Sequence, residues 1–295
     1  MKSIFLTGFS GFVGKNLISK FNGKYKILRF QRNSIININQ DIVIHLAGIA
    51  HDTSNKLDSK IYYKTNTDLT IQVFDNFLKS NASDFIFLSS VKAVRDSYNK
   101  ELDEKTIEVP KTDYGKSKLK AEQYILSKKL PKNKRVFILR PCMIYGPGNK
   151  GNLNLLYNIV LKGIPWPLGN YHNKRSFCSV NNLIYIINQL ISSSRISSGI
   201  YNISDDDSLS TNELINLINK SINKKSIILK IPKKIVSLLA KFGDISPFPL
   251  NSDRLDKLTS SYVVSNKKIT AVLDNSLPEN SKSGLSKVFR SFYNN

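Results

Sequence analysis

Through the first half of the chain, short apolar runs alternate with segments whose hydrophobic residues recur at helical spacing. Ser3 to Thr7 is apolar and runs into glycines, and Phe12 to Phe21 then follows a helical period, which predicts a strand-turn-helix opening. Tyr25 to Phe30 reads as a second strand, and Asp41-Ile42-Val43-Ile44-His45-Leu46-Ala47 as a third, apolar enough to be buried on both faces of a parallel sheet. A helix is predicted from about Ile61 to Lys79, a strand at Asp84 to Leu88 and a helix from Asp113 to Lys128. A last strand runs from Arg135 to Leu139, stopped by Pro141. This order predicts an α/β fold with a Rossmann-type doubly wound parallel sheet. The interval between the second strand and Asp41 is short, so one helix-strand unit of that fold is trimmed.

After Gly151 the pattern changes to amphipathic helices and short strands joined by loops rich in proline and glycine, such as Gly163-Ile164-Pro165-Trp166-Pro167-Leu168-Gly169. Within it, Ser210-Thr211-Asn212-Glu213 is a capping box, starting a helix with Leu214, Leu217 and Ile218 inward. The basic apolar stretch Lys233 to Phe242 suits a lid or domain helix better than a membrane-surface helix. There is no internal repeat.

With 295 residues and 41% hydrophobic content, the chain can bury a large core without disulfides. Cys142 and Cys178 lack metal-ligand spacing, and His45, His51 and His172 are scattered, so no metal site is expected. The N-terminal apolar run is too short for a secretion signal and no segment reaches spanning length, which predicts a cytoplasmic protein without membrane insertion. The net charge of +22 invites a polyanionic partner, but the lysines spread over the whole chain and no nucleic-acid motif is present, so no nucleic acid is expected.

Gly8-Phe9-Ser10-Gly11-Phe12-Val13-Gly14 spells G-x-x-G-x-x-G between a strand and a helix. Glycines there let the turn bend sharply and bring backbone amides to a pyrophosphate at the positive helix end. The first 150 residues therefore read as a dinucleotide-binding domain, completed by about 176–200, and 151–295 mainly as a smaller α/β substrate domain. An acidic residue ending the second strand would bind the ribose diol of NAD. Leu28-Arg29-Phe30-Gln31-Arg32 has none, and Arg29 and Arg32 suit the 2′-phosphate of NADP(H). NADP(H) is favoured on that ground. A pair of plain surface arginines, with NAD(H) as cofactor, is the competing reading.

Tyr114-Gly115-Lys116-Ser117-Lys118 sets a tyrosine and a lysine four apart on one helix face, downstream of Ser90 at the end of a strand. Taken with Thr7 to Gly14, His45-Leu46-Ala47-Gly48, Asn66-Thr67, Ser89-Ser90 and Arg140-Pro141-Cys142-Met143-Ile144-Tyr145-Gly146-Pro147-Gly148, the pattern resembles the extended short-chain dehydrogenase/reductase, or NAD-dependent epimerase/dehydratase, family over most of the chain.

The resemblance implies roles. Lys118 holds the nicotinamide ribose and lowers the pKa of Tyr114, Tyr114 exchanges a proton with the sugar oxygen, and Ser90 hydrogen-bonds that oxygen. Gly8, Ser10, Gly11, Phe12, Val13, Gly14, Arg29, Arg32, Leu46, Ala47, Gly48, Asn66, Ser89 and Pro141 fall on the cofactor side; for Ala47 and Pro141, packing explains the residue equally well. Ser90, Lys92, Cys142, Asn152, Leu153, Arg175 and Arg254 fall on the side of a UDP-sugar, with the two arginines resembling a pyrophosphate clamp. For each arginine a solvated surface role is the competing reading.

Dehydratases of this family place an acidic pair after the serine position. Val91-Lys92 stands here, which disfavours dehydration. What remains is a 4-keto reductase using NADPH or a 4-epimerase retaining NAD. The missing acid and a closer resemblance to bacterial reductases of UDP-2-acetamido-2,6-dideoxy-hexos-4-ulose, which serve capsule and O-antigen synthesis, favour the reductase. Val94-Arg95 departs from the Tyr-Gly or Asn-Gly of many relatives. Non-catalytic NADP-sensing or RNA-binding members of the fold family form a third class, disfavoured by the complete Ser90, Tyr114 and Lys118 set. The resemblance also implies a homodimer packed through the Tyr/Lys helix and its neighbour, for which Leu119, Tyr124, Val73 and Phe77 are the candidate face, or simply core.

Overall fold

The computed structural model describes residues 1–32, 34–50, 58–96, 100–107, 109–149, 152–246, 250–273 and 275–293. The strands in chain order are β1 (Ser3–Thr7), β2 (Lys26–Arg29), β3 (Ile42–His45), β4 (Asp84–Leu88), β5 (Glu101–Leu102) and β6 (Arg135–Pro141). They continue with β7 (Met143–Tyr145), β8 (Arg175–Ser179), β9 (Gly199–Ile203), β10 (Ser208–Leu209) and β11 (Val263–Val264). The helices are α1 (Phe12–Phe21), α2 (Ser59–Tyr62), α3 (Leu69–Lys79), α4 (Asp113–Ser127), α5 (Asn152–Leu161) and α6 (Val180–Ser192). After them come α7 (Thr211–Ser221), α8 (Lys233–Ile245), α9 (Ser252–Thr259), α10 (Lys267–Thr270) and α11 (Ser281–Tyr293).

Six parallel strands form the main sheet in the order β2-β1-β3-β4-β6-β9. The chain has the α/β, Rossmann-type fold that its alternating pattern predicts. Strand β2 sits at the edge, and among the described residues between it and β3 no helix or strand intervenes, which matches the trimmed unit. Both sheet faces are covered. Ile4 and Leu6 point into a core with Leu17, Phe21, Leu183 and Ile187, while Phe5, lying between them, joins Phe74, Phe77, Phe85 and Phe87 on the other side. That period of two within an all-apolar strand is what a sheet buried on both faces demands.

One expectation changes and one open alternative resolves to core. Strand β6 does not stop before Pro141: Pro141 pairs in register with Ile203, and the next amide, Cys142 N, donates to Ile203 O at 3.1 Å, so the ladder continues past the missing proline donor. Val73 and Phe77 are fully buried beneath the sheet and are core residues, because α3 turns them inward. Leu119 and Tyr124 are half-buried, and the Tyr124 hydroxyl donates to Asp75.

A second hydrophobic cluster joins Tyr145, Tyr157, Trp166, Phe177, Leu214, Ile218, Val236 and Phe289. The capping box forms as read, Ser210 accepting from Glu213 N and the Glu213 carboxylate accepting from Ser210 N. Leu214 and Ile218 are buried and Leu217 half-buried on the inner face of α7. A buried carboxylate, Asp205, ties this lobe to the sheet: it accepts from Ser179 N, Asn182 Nδ2, the Tyr145 hydroxyl and Ser281 Oγ. Burial holds its pKa above the usual carboxylate range despite those four donors.

Candidate active site

The site is assembled at the carboxyl ends of the parallel strands, where an open α/β sheet leaves a crevice. β1 ends at Thr7, and Gly8 follows with φ +70°, left-handed backbone that only glycine adopts without strain. A Cβ there would lie 2.6 Å from Ala47 N, so the turn is pressed against the loop after β3. Gly11 N donates back to Gly8 O at 3.1 Å, and Gly11 caps α1 with no side chain on the helix end. The first amides of α1, at Phe12 and Val13, are left for an anion, beside the positive end of the helix. Ser10 and Gly11 are exposed, Phe12 is half-buried, and Val13 and Gly14 are buried. This is a cradle of backbone donors that fits a pyrophosphate. Arg29 lies in register with Leu6, and it and Arg32 are both exposed at the end of β2.

Leu46 and Ala47 are half-buried and Gly48 is exposed in the loop after β3. That loop is fixed from below. His45 bridges Thr7 Oγ1 at 2.7 Å and Thr70 Oγ1 at 2.9 Å, and Ala47 N donates to Thr7 Oγ1. Full burial, with Lys118 adding to it, pushes the His45 pKa down to about 3, so the ring is neutral. Between α2 and α3 a single π-helical turn, Tyr63–Asp68, carries Asn66. Asn66 lies beneath the exposed Gly48, on the same side as the Lys118 ammonium. It is fully buried, accepting from Ile49 N at 2.8 Å and donating to Ile49 O and Ser117 Oγ, so it ties the loop to α4.

Three side chains converge at the end of β4. Ser90 Oγ accepts from Lys92 N at 3.2 Å and shares a hydrogen bond with the Tyr114 phenol. Tyr114 stands in the first turn of α4, whose start is anchored by Thr112, its hydroxyl donating to Asp96 and accepting from Gly115 N. A Cβ on Gly115 would fall 2.4 Å from Lys92 O, so only glycine lets α4 close against the β4 loop and bring Tyr114 to Ser90. One turn on, Lys118 is 4% exposed and its ammonium donates to Leu88 O at 2.9 Å. Burial pushes the Lys118 pKa down to about 8, against the pull of Glu122. Tyr114 runs opposite to the lowering expected of it: burial raises its pKa, Ser90's hydrogen bond works against that, and the neighbouring Tyr62 ring, 6.3 Å away, adds to it.

Other assignments move. Ser89 is buried with its hydroxyl on Glu122, so it faces the interior; Glu122 in turn pairs with Arg140. Cys142, in the bend between β6 and β7, is buried against the sheet core, and Leu153 on α5 is buried in the second cluster. Pro141 is buried at the end of β6. Asn152 starts α5, and its side chain lies outside the described residues, as do Lys150 and Gly151. Val94 is buried core.

On the substrate side Lys92, partly buried with its ammonium on Asp96 O and 5.1 Å from the Tyr262 ring centre, lies close enough to Arg175 and Lys257 to be held below its usual pKa by burial and by both cations, against Asp96. Arg175 is lowered by burial, with Asp256 opposing. Arg254 is exposed one turn before Lys257 on α9. Glu122, Asp96 and Lys257 escaped the sequence reading. Two carried a signal: Glu122 follows Lys118 by four residues and Lys257 follows Arg254 by three, spacings that share a helix face.

The model of the NAD dependent epimerase/dehydratase family matches residues 4–204. The chain belongs to that family. It is 30% identical over 320 residues to a UDP-glucose 4-epimerase of Vibrio cholerae, covering 99% of this chain and 95% of the relative. It is 27% identical over 290 residues to an N-acetyl-α-D-glucosaminyl-diphospho-ditrans,octacis-undecaprenol 4-epimerase of Escherichia coli O157:H7, covering 90% and 84%. Among solved structures, MoeE5 in complex with UDP-glucose and NAD superposes with a TM-score of 0.76 at 17% identity, over 99% of each chain. RMD from Pseudomonas aeruginosa complexed with NADPH gives 0.74 at 19%, over 100% of each. Members of this fold thus hold NAD or NADPH.

Proposed function

We propose that the protein reduces the 4-keto group of a UDP-linked 6-deoxy-N-acetylhexosulose with NADPH, giving UDP-FucNAc or UDP-QuiNAc for surface polysaccharide. The observation that carries this reading is the end of β2, where Arg29 and Arg32 stand exposed and Leu28 to Arg32 contains no carboxylate for a ribose diol. A 2′-phosphate suits two guanidinium groups. The Gly8 turn and the open end of α1 fit the dinucleotide's pyrophosphate, and Lys92, Arg175 and Lys257 form a cationic cluster suited to the sugar diphosphate.

When bound, the reduced nicotinamide supplies hydride to the sugar carbon. The chain's own residues handle the oxygen and the proton. Ser90 Oγ accepts from Lys92 N, and its hydroxyl proton, shared with the Tyr114 phenol, turns to the keto oxygen to orient it. Tyr114 delivers the proton that turns that oxygen into a hydroxyl; its raised pKa favours the protonated phenol this direction requires. Lys118 moves its ammonium from Leu88 O to the ribose hydroxyls and then stabilises the phenolate left behind.

A second reading, a UDP-sugar 4-epimerase retaining NAD, is favoured by the relative named UDP-glucose 4-epimerase; the other relative above is also named a 4-epimerase, of a polyprenyl-diphospho-linked sugar. Incubating the purified protein with the ketosugar and NADPH separates them. Consumption of NADPH with formation of the 4-hydroxy sugar supports the reductase. An inert ketosugar, alongside interconversion of UDP-GlcNAc and UDP-GalNAc on tightly held NAD, would reverse the assignment.

A further inference from the structure

Helix α8 (Lys233–Ile245) turns only a narrow strip inward. Val236, Ala240 and Gly243 are buried, and a Cβ on Gly243 would lie 1.9 Å from Leu250 O. On the outer side Ile235, Leu238, Leu239, Phe242 and Ile245 are 50%, 69%, 41%, 58% and 87% exposed. At about 100° per residue those five fall within an arc of about 120°. A soluble helix of this length ordinarily places such residues on the core; here a separate strip fills the core and the larger apolar face looks out.

The remaining face is basic. Lys234 and Lys241 lie within about 40° of one edge of the apolar arc, and Lys233, further round the helix, rests 5.4 Å from the Tyr171 ring centre. The one carboxylate on α8, Asp244, is occupied by Ser252, accepting from its amide at 2.8 Å and its hydroxyl at 2.6 Å. The charge bias extends upstream. From Lys220 to Lys241 the chain carries seven lysines and no acidic residue, and the extended stretch leading to the helix exposes Ile227 and Leu229 between Lys225 and Lys230. An apolar arc bordered by lysines is complementary to acyl chains beneath anionic head groups, and lysine stems reach the head-group level while the arc enters the boundary. A second copy of this chain would have to bring the same cations against these.

The exposed apolar arc reverses the expectation of a lid or domain helix for this stretch, and we infer that α8 is a membrane-surface helix that docks the protein reversibly on a bilayer rich in anionic phospholipid. No helix among the described residues is long and apolar enough to cross a membrane, so attachment is peripheral. α8 packs against α9, which carries Arg254 and Lys257, so the docked face is one helix layer from the cationic cluster. The inference goes beyond the proposed reaction and does not depend on which sugar is turned over.

Flotation of the full-length protein with vesicles tests it. Vesicles of phosphatidylglycerol and phosphatidylethanolamine should carry the protein upward, phosphatidylcholine vesicles should not, and raised salt should release it. Leu238→Asp combined with Ile245→Asp should weaken vesicle affinity by about tenfold or more. Lys234→Glu with Lys241→Glu should do the same, and both variants should keep wild-type melting and turnover of the soluble nucleotide sugar. Absence of flotation with anionic vesicles would overturn the inference, as would equal flotation with both vesicle types or unchanged flotation of a natively melting aspartate variant. A wild-type dimer that Leu238→Asp dissociates, with vesicles having no effect, would assign the face to a second copy instead. Failure of vesicle binding would leave the sugar chemistry untouched.

Discussion

Arg140 Nε lies 3.0 and 3.1 Å from the two carboxylate oxygens of Glu122, with both side chains almost wholly buried between α4 and β6. The same carboxylate receives the Ser89 hydroxyl and raises the pKa of Lys118, so one acid links the sheet to the catalytic helix. Removing it leaves a buried guanidinium without its counter-charge. Glu122→Ala should cost about 3–5 kcal/mol of stability, read by denaturant unfolding, whereas exposed pairs such as Lys257 with Asp253 should matter little.

Tyr114 hydrogen-bonds with Ser90 through the hydroxyl that would move the proton. Tyr114→Phe should lower turnover by about 10²–10⁴-fold, while the dissociation constant for dinucleotide, measured by fluorescence titration, should stay near wild type. A variant with near-normal rate would remove the phenol from the chemistry.

Lys118 titrates near pH 8 in the folded, cofactor-free protein. Its ammonium, and the charge-assisted hydrogen bonds it can give, are present below that pH and lost as pH rises through it. Dinucleotide affinity should therefore fall between pH 7 and pH 9, by roughly tenfold, the size of one such bond. Lys118→Met should bind weakly at both values and show no such pH dependence.

His45 remains neutral down to about pH 3 in the native protein, while an unfolded histidine protonates near pH 6.5. Between those values the unfolded chain binds the extra proton. Stability present above pH 6.5 is thus lost as pH falls toward 3, by about 1.4 kcal/mol per pH unit once below 6.5. Unfolding of His45→Gln between pH 6.5 and 5, where ordinary carboxylates are still charged, should show a shallower pH dependence than wild type.

Much of the sheet was legible because a strand buried on both faces is a continuous apolar run. Ser3–Thr7 and Asp84–Leu88 have the bounds the sequence predicts, and α1 likewise runs from Phe12 to Phe21. The strands β7 and β10 were not legible, since two or three residues carry too little periodicity to distinguish them from loop, and β8, Arg-Ser-Phe-Cys-Ser, lacks the continuous apolar run of β1 and β4. The site shows the same division. Ser90, Tyr114 and Lys118 could be read from spacing and resemblance and do converge. Ser89 is next to the crevice in sequence terms yet turns its hydroxyl inward to Glu122, because side-chain direction is set by packing across elements far apart in the chain. The cationic group of Lys92, Arg175 and Lys257 joins three distant segments, and spacing alone cannot bring them together.

The most direct test of the central claim follows the hydride itself. With the UDP-linked ketosugar and NADPH deuterated at nicotinamide C4, mass spectrometry and NMR of the product should find a single deuterium on sugar C4, placed about 10²–10⁴ times more slowly by Tyr114→Phe than by wild type. Turnover of the sugar with no deuterium at C4, or labelling by the Tyr114→Phe variant at the wild-type rate, would contradict it.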